Sequence, residues 1–526
     1  MVERTSTDRL TRRGALQLLA AGAGATAVAC TPATSGGSTT SEVQKPVSGG
    51  TLRLAIATDV DNPDPHRLGV VNTGTLSGVY DRVAFLDIKT RQPQPMLAES
   101  WDWAADAKSL RLNLKKGVQF HSGRELTSDD IKDNIVRMKD PKSGVPQLLY
   151  MANWFSSIET PDKSTVILKS EQPRPAVWDM FEYMNITDLK TLNTPDGAKK
   201  SLGTGAFQFV EWVPKDHWSF KKNPSYWQFG QPYLDAVVFT FTPDPQAGVT
   251  QFEAGAQDGV LYPPSRDAVR LEKDSKYRLE RDPVVGSLQA MAVNTTLPGA
   301  KDKRVRQALQ YATDRRRYAD SVLQGLGGES RQLPWAQGSP AYDAEKNKRY
   351  PFDLDKAKAL MAQAGNPETS LDFVYSNVGA EIPQLAQIIQ ADYAKIGVKV
   401  NIQPVEAQTA TGRANQGLFG ITGGTYGFTQ LEPSTVFGIS NVFLLSGNTS
   451  RFESPQLTQL VRQSEVEVDL AKRKALYSQI NDLLLDESFM LPVSHAPWTL
   501  LVNNNVKGIS WHVGQTPTYR TIWIAK

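Results

Sequence analysis

Ser219 and Lys222 stand at the S-x-x-K spacing by which a lysine prepares a serine hydroxyl to attack a carbonyl carbon. That chemistry also needs a K-T-G strand, and the chain has none. Trp218 and Phe220 alternate with polar neighbours as on a surface strand, so Ser219 reads as a strand residue. No G-x-S-x-G elbow, H-E-x-x-H pair or phosphate-cradling P-loop occurs. Gly203-Thr204-Gly205 lacks a third glycine at dinucleotide spacing and opens no helix, so it reads as a turn. The five histidines, His66, His121, His217, His495 and His512, include no pair four residues apart for gripping a metal from one helix face. Asp59, Asp61 and Asp64 bunch as calcium ligands do, but Pro63 takes the fifth position and no glycine the sixth. The loop is therefore expected to be a proline-stiffened strand cap, with no metal, cofactor or catalytic residue assigned.

The aromatic residues point to binding. Eleven Trp and sixteen Tyr are many for a soluble chain. Most belong in cores, but a few can line a cleft, where flat rings hold organic solutes at low entropic cost. The best candidate is Gly423–Pro433, with Tyr426, Phe428 and Thr429 facing the cleft and with Trp335 and Tyr262 as weaker candidates. Tyr426 and Phe428 share strand parity and Thr429 opposes them. All three reach one ligand only where glycines 423, 424 and 427 turn the segment into a loop.

Such a cleft needs more than one folding unit, and 526 residues supply enough chain for two or three. Hydrophobic content of 40% and charged content of 21% fit a globular body. The net charge is only +3. Removing the first 29 residues takes away Arg4, Arg9, Arg12 and Arg13 against Glu3 and Asp8, leaving no basic surplus for nucleic acid. A single Cys excludes an internal disulfide. Arg12-Arg13 ahead of the run from Ala15 to Ala29 resemble a twin-arginine export signal, although Ala15 and Gln17 depart from that pattern. The run is too short and too rich in Ala and Gly to span a membrane. Ala27-Val28-Ala29-Cys30 is similar to a bacterial lipobox, so Cys30 is expected to carry a lipid anchor. The small polar residues 31–48 read as a tether.

Pro95–Ile131 reads as a local structural plan. Leu110, Leu112 and Leu114 alternate with Arg111, Asn113 and Lys115 at the period of a half-buried strand. Thr127 then starts a helix, with Asp129 and Asp130 in its first turn, where the helix dipole favours negative charge. The side chains say more. Leu97-Ala98-Glu99-Ser100-Trp101, Gly117-Val118-Gln119-Phe120-His121-Ser122-Gly123 and Leu126-Thr127-Ser128-Asp129-Asp130-Ile131 resemble the signature block of the family 5 extracellular solute-binding proteins of peptide and nickel importers, with Ser122 in place of the usual Asp. Gly203-Thr204-Gly205, Asn223-x-x-Tyr226-Trp227, Gly230-x-Pro232-x-Leu234-Asp235 and Val305-Arg306-x-Ala308-Leu309-x-Tyr311-Ala312-x-Asp314-Arg315 resemble further family segments in the family's order. The resemblance covers nearly all of residues 49–526.

It implies an α/β protein of the two-lobe periplasmic-binding-protein type II fold with an additional α+β subdomain. The expected plan is a signal peptide over 1–29 and a tether over 30–48. Lobe I takes 49–288 plus 494–526, with the extra subdomain at about 83–199, and lobe II takes 289–493. Gln289–Asn294 and Phe489–Val493 are the expected crossovers between lobes. Val237–Phe241 reads as a strand buried on both faces, and the order strand 371–375, helix 382–396, strand 398–403 as part of a parallel sheet.

The resemblance also implies a lipid-anchored, extracytoplasmic, monomeric receptor that delivers a small organic solute to ABC importer permeases. In peptide-binding members an Asp four residues before Pro433 pairs with the peptide's ammonium. Thr429 stands there, and no acid occurs between Gly423 and Leu431. A buried ammonium without a counter-charge is costly. The departure favours a neutral glycoside or short oligosaccharide over an oligopeptide, with an extracytoplasmic serine hydrolase as a distant alternative.

Overall fold

The computed structural model describes residues 45–60, 62–67, 73–142, 145–194, 201–328, 331–376, 381–514 and 516–526. Arg12, Arg13, Cys30 and most of the tether lie outside them. The body from Pro46 to Lys526 is built on three larger sheets. In the first, Thr51–Ile56 lies at the centre, parallel to Ala236–Phe241 on one side and Gly259–Leu261 on the other. Antiparallel strands complete it: His217–Lys222 and Phe207–Val213 beyond one neighbour, Thr499–Asn503 and Tyr277–Arg281 beyond the other. Leu52 and Leu54 point inward while Arg53 is exposed, as period-2 alternation demands. Val237 and Phe239 are buried but Val238 and Thr240 only half-buried, so this strand packs on one face and not on two.

The second sheet has the spatial order Val398–Val405, Thr369–Ser376, Ile421–Tyr426, Ser287–Val293, Met490–Ala496. Its first three strands are parallel, and helix Glu381–Ala394 crosses between the first two, as the sequence order predicts. A third, antiparallel sheet joins Ala98–Trp103, Ser109–Leu114, Thr165–Lys169 and Ser157–Asp162. Leu110, Leu112 and Leu114 are buried in it. Helix Ser128–Met138 packs behind, and the Asp130 carboxylate accepts from both the amide and the hydroxyl of Thr127, closing its first turn. The arrangement is the expected one: two α/β lobes with an additional α+β subdomain.

Segments far apart in sequence converge between the first and third sheets. His121 bonds the Gly205 carbonyl through its ring at 2.9 Å and the Gly203 carbonyl through its amide at 2.9 Å. Asn223 donates to the same Gly205 carbonyl at 3.0 Å. Asp81, buried, accepts from Trp227 at 2.7 Å, Thr204 at 3.0 Å and Tyr226 at 3.1 Å. Gly203 and Gly205 lie flat against Val79, and a Cβ on Gly205 would fall 2.4 Å from the Val79 carbonyl carbon. Ser219 and Lys222 sit three residues apart on one strand, hence on opposite faces. Asp64 is turned to Arg137, and Asp59 to Lys215 and Trp218.

Gly205→Ala should therefore destabilise the fold by about 1–3 kcal/mol, the cost of overpacking against backbone that cannot give way. Gly412, in helix Ala407–Gln416, has nothing within 4 Å of where its Cβ would lie. Gly412→Ala should instead stabilise by up to about 1 kcal/mol. Thermal melts of the two variants check the pair, and equal shifts would sink the close-packing account.

Candidate functional site

Two crossovers join the first and second sheets. The chain leaves the first sheet after Arg281 and enters the second at Ser287, then returns between Ala496 and Thr499. Gln289–Asn294 and Phe489–Val493 lie almost wholly inside paired strands of the second sheet. Their apolar runs belong to a sheet interior, whereas the true crossovers carry Pro283, Gly286 and Pro497. Asp282 ties the two together: its amide donates to the Trp498 carbonyl at 2.8 Å, and its carboxylate accepts from the Val284 amide at 2.8 Å. Burial pushes the Asp282 carboxyl up to about 6, although backbone amides around it favour the ionised form.

A cavity of about 290 Å³ opens beside the first crossover. Its walls are residues 88, 89 and 91, Pro283 and Val284, the loop 336–339, and Gln430. The first wall is the tip of a hairpin in which Ala84–Leu86 pairs with Pro93–Pro95. Asp87 shapes that tip by accepting from the amides of Lys89 (3.1 Å) and Thr90 (2.7 Å) and from the Thr90 hydroxyl (2.9 Å). Arg91 takes a left-handed backbone, φ 59°, and its Nη2 donates to the Gln430 carbonyl. Its Nη1 is buried without an acceptor among the described residues. Among the described residues the wall includes Lys89 and Arg91 but no acid.

None of the five residues chosen from sequence is in the wall of this cavity, although Thr429 and Trp335 are chain neighbours of wall residues. Gln430 is in its wall. Thr429, next to it, is fully buried; its hydroxyl donates to the Gly286 carbonyl in the crossover at 2.5 Å, and its own carbonyl accepts from the Ala336 amide at 3.1 Å. Trp335 is also fully buried, with its indole N–H on Asn481 at 2.6 Å and its ring stacked near Phe443. Both support the wall from behind. Tyr426, half-buried, ends a second-sheet strand, and Phe428 sets its ring 5.5 Å from that of Tyr183. Tyr262 pairs with Trp498 at 4.5 Å, where the chain re-enters the first sheet. The bend expected of the glycines is borne by Phe428 itself, at φ 72°. Gly423 and Gly424 remain in the strand, where Gly423 makes room for the Phe373 ring.

Backbone strain concentrates here. Among the described residues ten non-glycines have positive φ, and Arg91, Tyr262, Val285 and Phe428 are four of them. A β-branched residue at φ 50° is a true outlier. Each such residue costs on the order of 1–3 kcal/mol and persists where its surroundings over-determine it, which is typical of ligand clamps and switch regions.

Helix Val177–Tyr183 connects the α+β subdomain to the Gln430 segment. Tyr183 accepts from the Gln430 side chain at 2.8 Å, and the Asp179 carboxylate accepts from the Glu432 amide at 3.0 Å. Burial pushes the Asp179 carboxyl up to about 7; the Glu432 charge adds to this, while Thr435 and Arg91 oppose it. Sequence reasoning missed Arg91, Asp179, Tyr183 and Gln430. Only Gln430 carried a signal, by adjacency to the chosen segment.

The model of the bacterial extracellular solute-binding proteins, family 5, matches residues 92–441. Heme-binding protein A of Haemophilus influenzae is 27% identical over 471 residues, covering 82% of this chain and 84% of the relative. Probable di/tripeptide-binding protein 5 of Pseudomonas aeruginosa is 26% identical over 509 residues, covering 88% and 94%. Several further relatives bear dipeptide- or di/tripeptide-binding names. The structure of the binding protein AgaA from A. tumefaciens R10, in complex with agropinic acid, superposes with a TM-score of 0.79 at 25% identity, covering 91% of this chain and 99% of that one.

The Asp179 contact makes a pH prediction. Its folded value of about 7 lies above the ordinary carboxylate value of about 3.9, so the fold favours the protonated form. Between those values the native state binds more protons than the unfolded chain. This contribution is therefore full at low pH and is lost as pH rises through about 7. The melting temperature of the wild type relative to Asp179→Asn should fall between pH 5 and pH 8. A difference that does not change with pH would show that this carboxyl titrates normally.

Proposed function

The chain belongs to the bacterial extracellular solute-binding proteins of family 5, and from that premise we propose that it captures a short peptide, or a peptide-like solute of similar size, in the cavity beside its crossovers and delivers it to an ABC importer. The observation that carries the peptide reading is the run of di- and tripeptide-binding relatives, which match 82–88% of this chain along with the heme-binding one. The cavity agrees in scale. At about 290 Å³ it falls just below the roughly 300–1,000 Å³ usual for small-molecule pockets. It suits two or three residues better than a long oligosaccharide.

The neutral-glycoside expectation rested on Thr429 replacing an acid. Thr429 is buried and its hydroxyl is spent on Gly286. Its lack of charge therefore carries no information about the charge of a solute on the other side of the wall. Gln430 and Arg91 face that solute, with Tyr426 and Phe428 as apolar flanks and Thr429, Trp335 and Tyr262 supporting wall and hinge. Capture proceeds by rotation of the lobes about the two crossovers, driven by contacts the solute makes only in the closed form. Cys30 bears the lipid that holds the exported chain at the membrane.

Calorimetry on protein stripped of retained ligand, against free di- and tripeptides and against short oligosaccharides, tests the solute class. Peptides should bind with a Kd of about 1 µM or tighter, near −8 kcal/mol, and sugars should give no heat. Sugar binding with no peptide response would reinstate the glycoside. For the anchor, Cys30→Ser should move the protein from the membrane to the soluble fraction with solute affinity unchanged. Wild-type membrane retention would sink the lipid assignment.

A further inference from the structure

We propose that the contact between helix Val177–Tyr183 and the segment 430–439 is a proton-linked latch: closing the lobes brings the carboxyls of Asp179 and Glu432 together, so closing takes up a proton and an acidic medium favours the closed form. The proposal rests on capture by lobe rotation, as in the reading above, and not on the class of solute.

Three observations carry it. The first is where the contact lies. Helix Val177–Tyr183 belongs to the α+β subdomain, while residues 430–439 follow a strand of the second sheet and include helix Pro433–Ile439. Tyr183 accepts from the Gln430 side chain at 2.8 Å, and Asp179 from the Glu432 amide at 3.0 Å. Farther along the same surface the Tyr150 hydroxyl donates to Glu465 at 2.7 Å, and Arg174 pairs with that carboxylate at 3.5 Å. Gly438 leaves room for the Tyr150 ring. Each of these bonds joins the two sides through space alone, so a rotation about the crossovers breaks them together.

The second is charge. Asp179 is buried, and its neighbours Met180 and Phe181 share an apolar cluster with Leu431 and Val436. Its own helix adds Tyr183 and Glu182, the latter committed to Arg82 and to the amides of Leu86 and Gly514. The 430–439 segment faces it with Glu432 and Thr435, and the 84–95 hairpin with Arg91, whose Nη2 is used on the Gln430 carbonyl. Behind Glu432, helix Leu470–Glu487 supplies Arg473 and Tyr477, each donating to the Glu432 carboxylate at 2.8 Å. The cation of that helix thus neutralises Glu432 and not Asp179.

The third is the linkage these two create. Drying a carboxylate beside another carboxylate favours its neutral form. Burial, with the Glu432 charge adding to it, holds the Asp179 carboxyl at about 7 where the two sides meet. With the lobes parted the same carboxyl faces water, where the ordinary value is about 3.9. Between those values the closed form binds more protons than the open one. The proton's contribution to closing is therefore full at low pH and is lost as pH rises through about 7. Whatever favours the closed form raises the apparent affinity for any solute that form holds.

Hydrogen exchange at the Glu432 amide of ligand-stripped full-length protein, referred to its intrinsic rate, reads how often the contact opens and needs no solute. Protection should be about tenfold or more greater at pH 5 than at pH 8. At both it should stay below that of the strand Thr369–Ser376, since the latch parts without unfolding the sheet. Asp179→Asn keeps an oxygen for the Glu432 amide but cannot ionise, so it should lose the pH dependence. Tyr150→Phe should lower Glu432 protection about fivefold at both pH values, because bonds on one moving surface open together. Wild-type protection that does not change with pH overturns the latch, and so does a pH change that survives in Asp179→Asn. Protection equal to that of the strand, no protection at any pH, or no effect of Tyr150→Phe would each show that no such surface opens and shuts, and overturns it too. Because no solute is used, peptides that fail to bind in the calorimetry above leave this result standing, and failure of the latch leaves the solute class untouched.

Discussion

Glu182 is a fully buried carboxylate on which three separate stretches of chain depend. One oxygen accepts from the Arg82 guanidinium at 3.0 Å and from the Gly514 amide at 3.0 Å, and the other accepts from the Leu86 amide at 3.0 Å. A charge taken out of water this completely survives only when paired and fully hydrogen-bonded; removing one partner of such a pair typically costs about 3–5 kcal/mol. Its position therefore dictates where its partners sit. Leu86 is the last strand residue before the hairpin tip that carries Arg91, Gly514 belongs to the C-terminal stretch of the chain, and Glu182 itself lies on the helix that presents Asp179 and Tyr183. One buried interaction thus aligns the cationic hairpin with the helix that meets the Gln430 segment.

The neighbouring Asp81 network works the same way with neutral donors. Thr204, Tyr226 and Trp227 come from two motifs well apart in sequence and spend their polar groups on one carboxylate. The recurring side chains of these motifs are thereby explained as mutual supports and not as ligand contacts. Rigid, satisfied scaffolding on this side leaves the strain to accumulate elsewhere. Arg91, Tyr262, Val285 and Phe428 are four of the described non-glycine residues with positive φ, a costly conformation.

Much of the frame was legible in the chain. The Leu110–Leu114 alternation, the helix start at Thr127 and the strand–helix–strand order around residues 369–405 all appear as read, because period and capping are local properties. The crossovers were displaced because an apolar run marks burial without saying whether the strand lies inside a sheet or between two. The candidate site was only partly legible. Gln430, next to the chosen segment, lines the cavity, but Thr429 and Trp335, chosen for side chains that suit a ligand, are spent on Gly286 and Asn481.

By itself, then, the sequence determined the family, the two-lobe α/β architecture and the near-neutral charge balance, since these follow from ordered motifs, periodicity and composition. Only the tertiary structure decided which polar groups are spent on the frame and which line a cavity. Arg91 sits in an ordinary polar turn between two short strands, and nothing in its neighbours distinguishes it from Arg111 or Arg124. It comes to line a cavity because folding brings it against Gln430, some 339 residues away in the chain. Whether a hydrogen-bonding group is satisfied depends on what the whole chain places within about 3 Å of it, and no local pattern of residues encodes that.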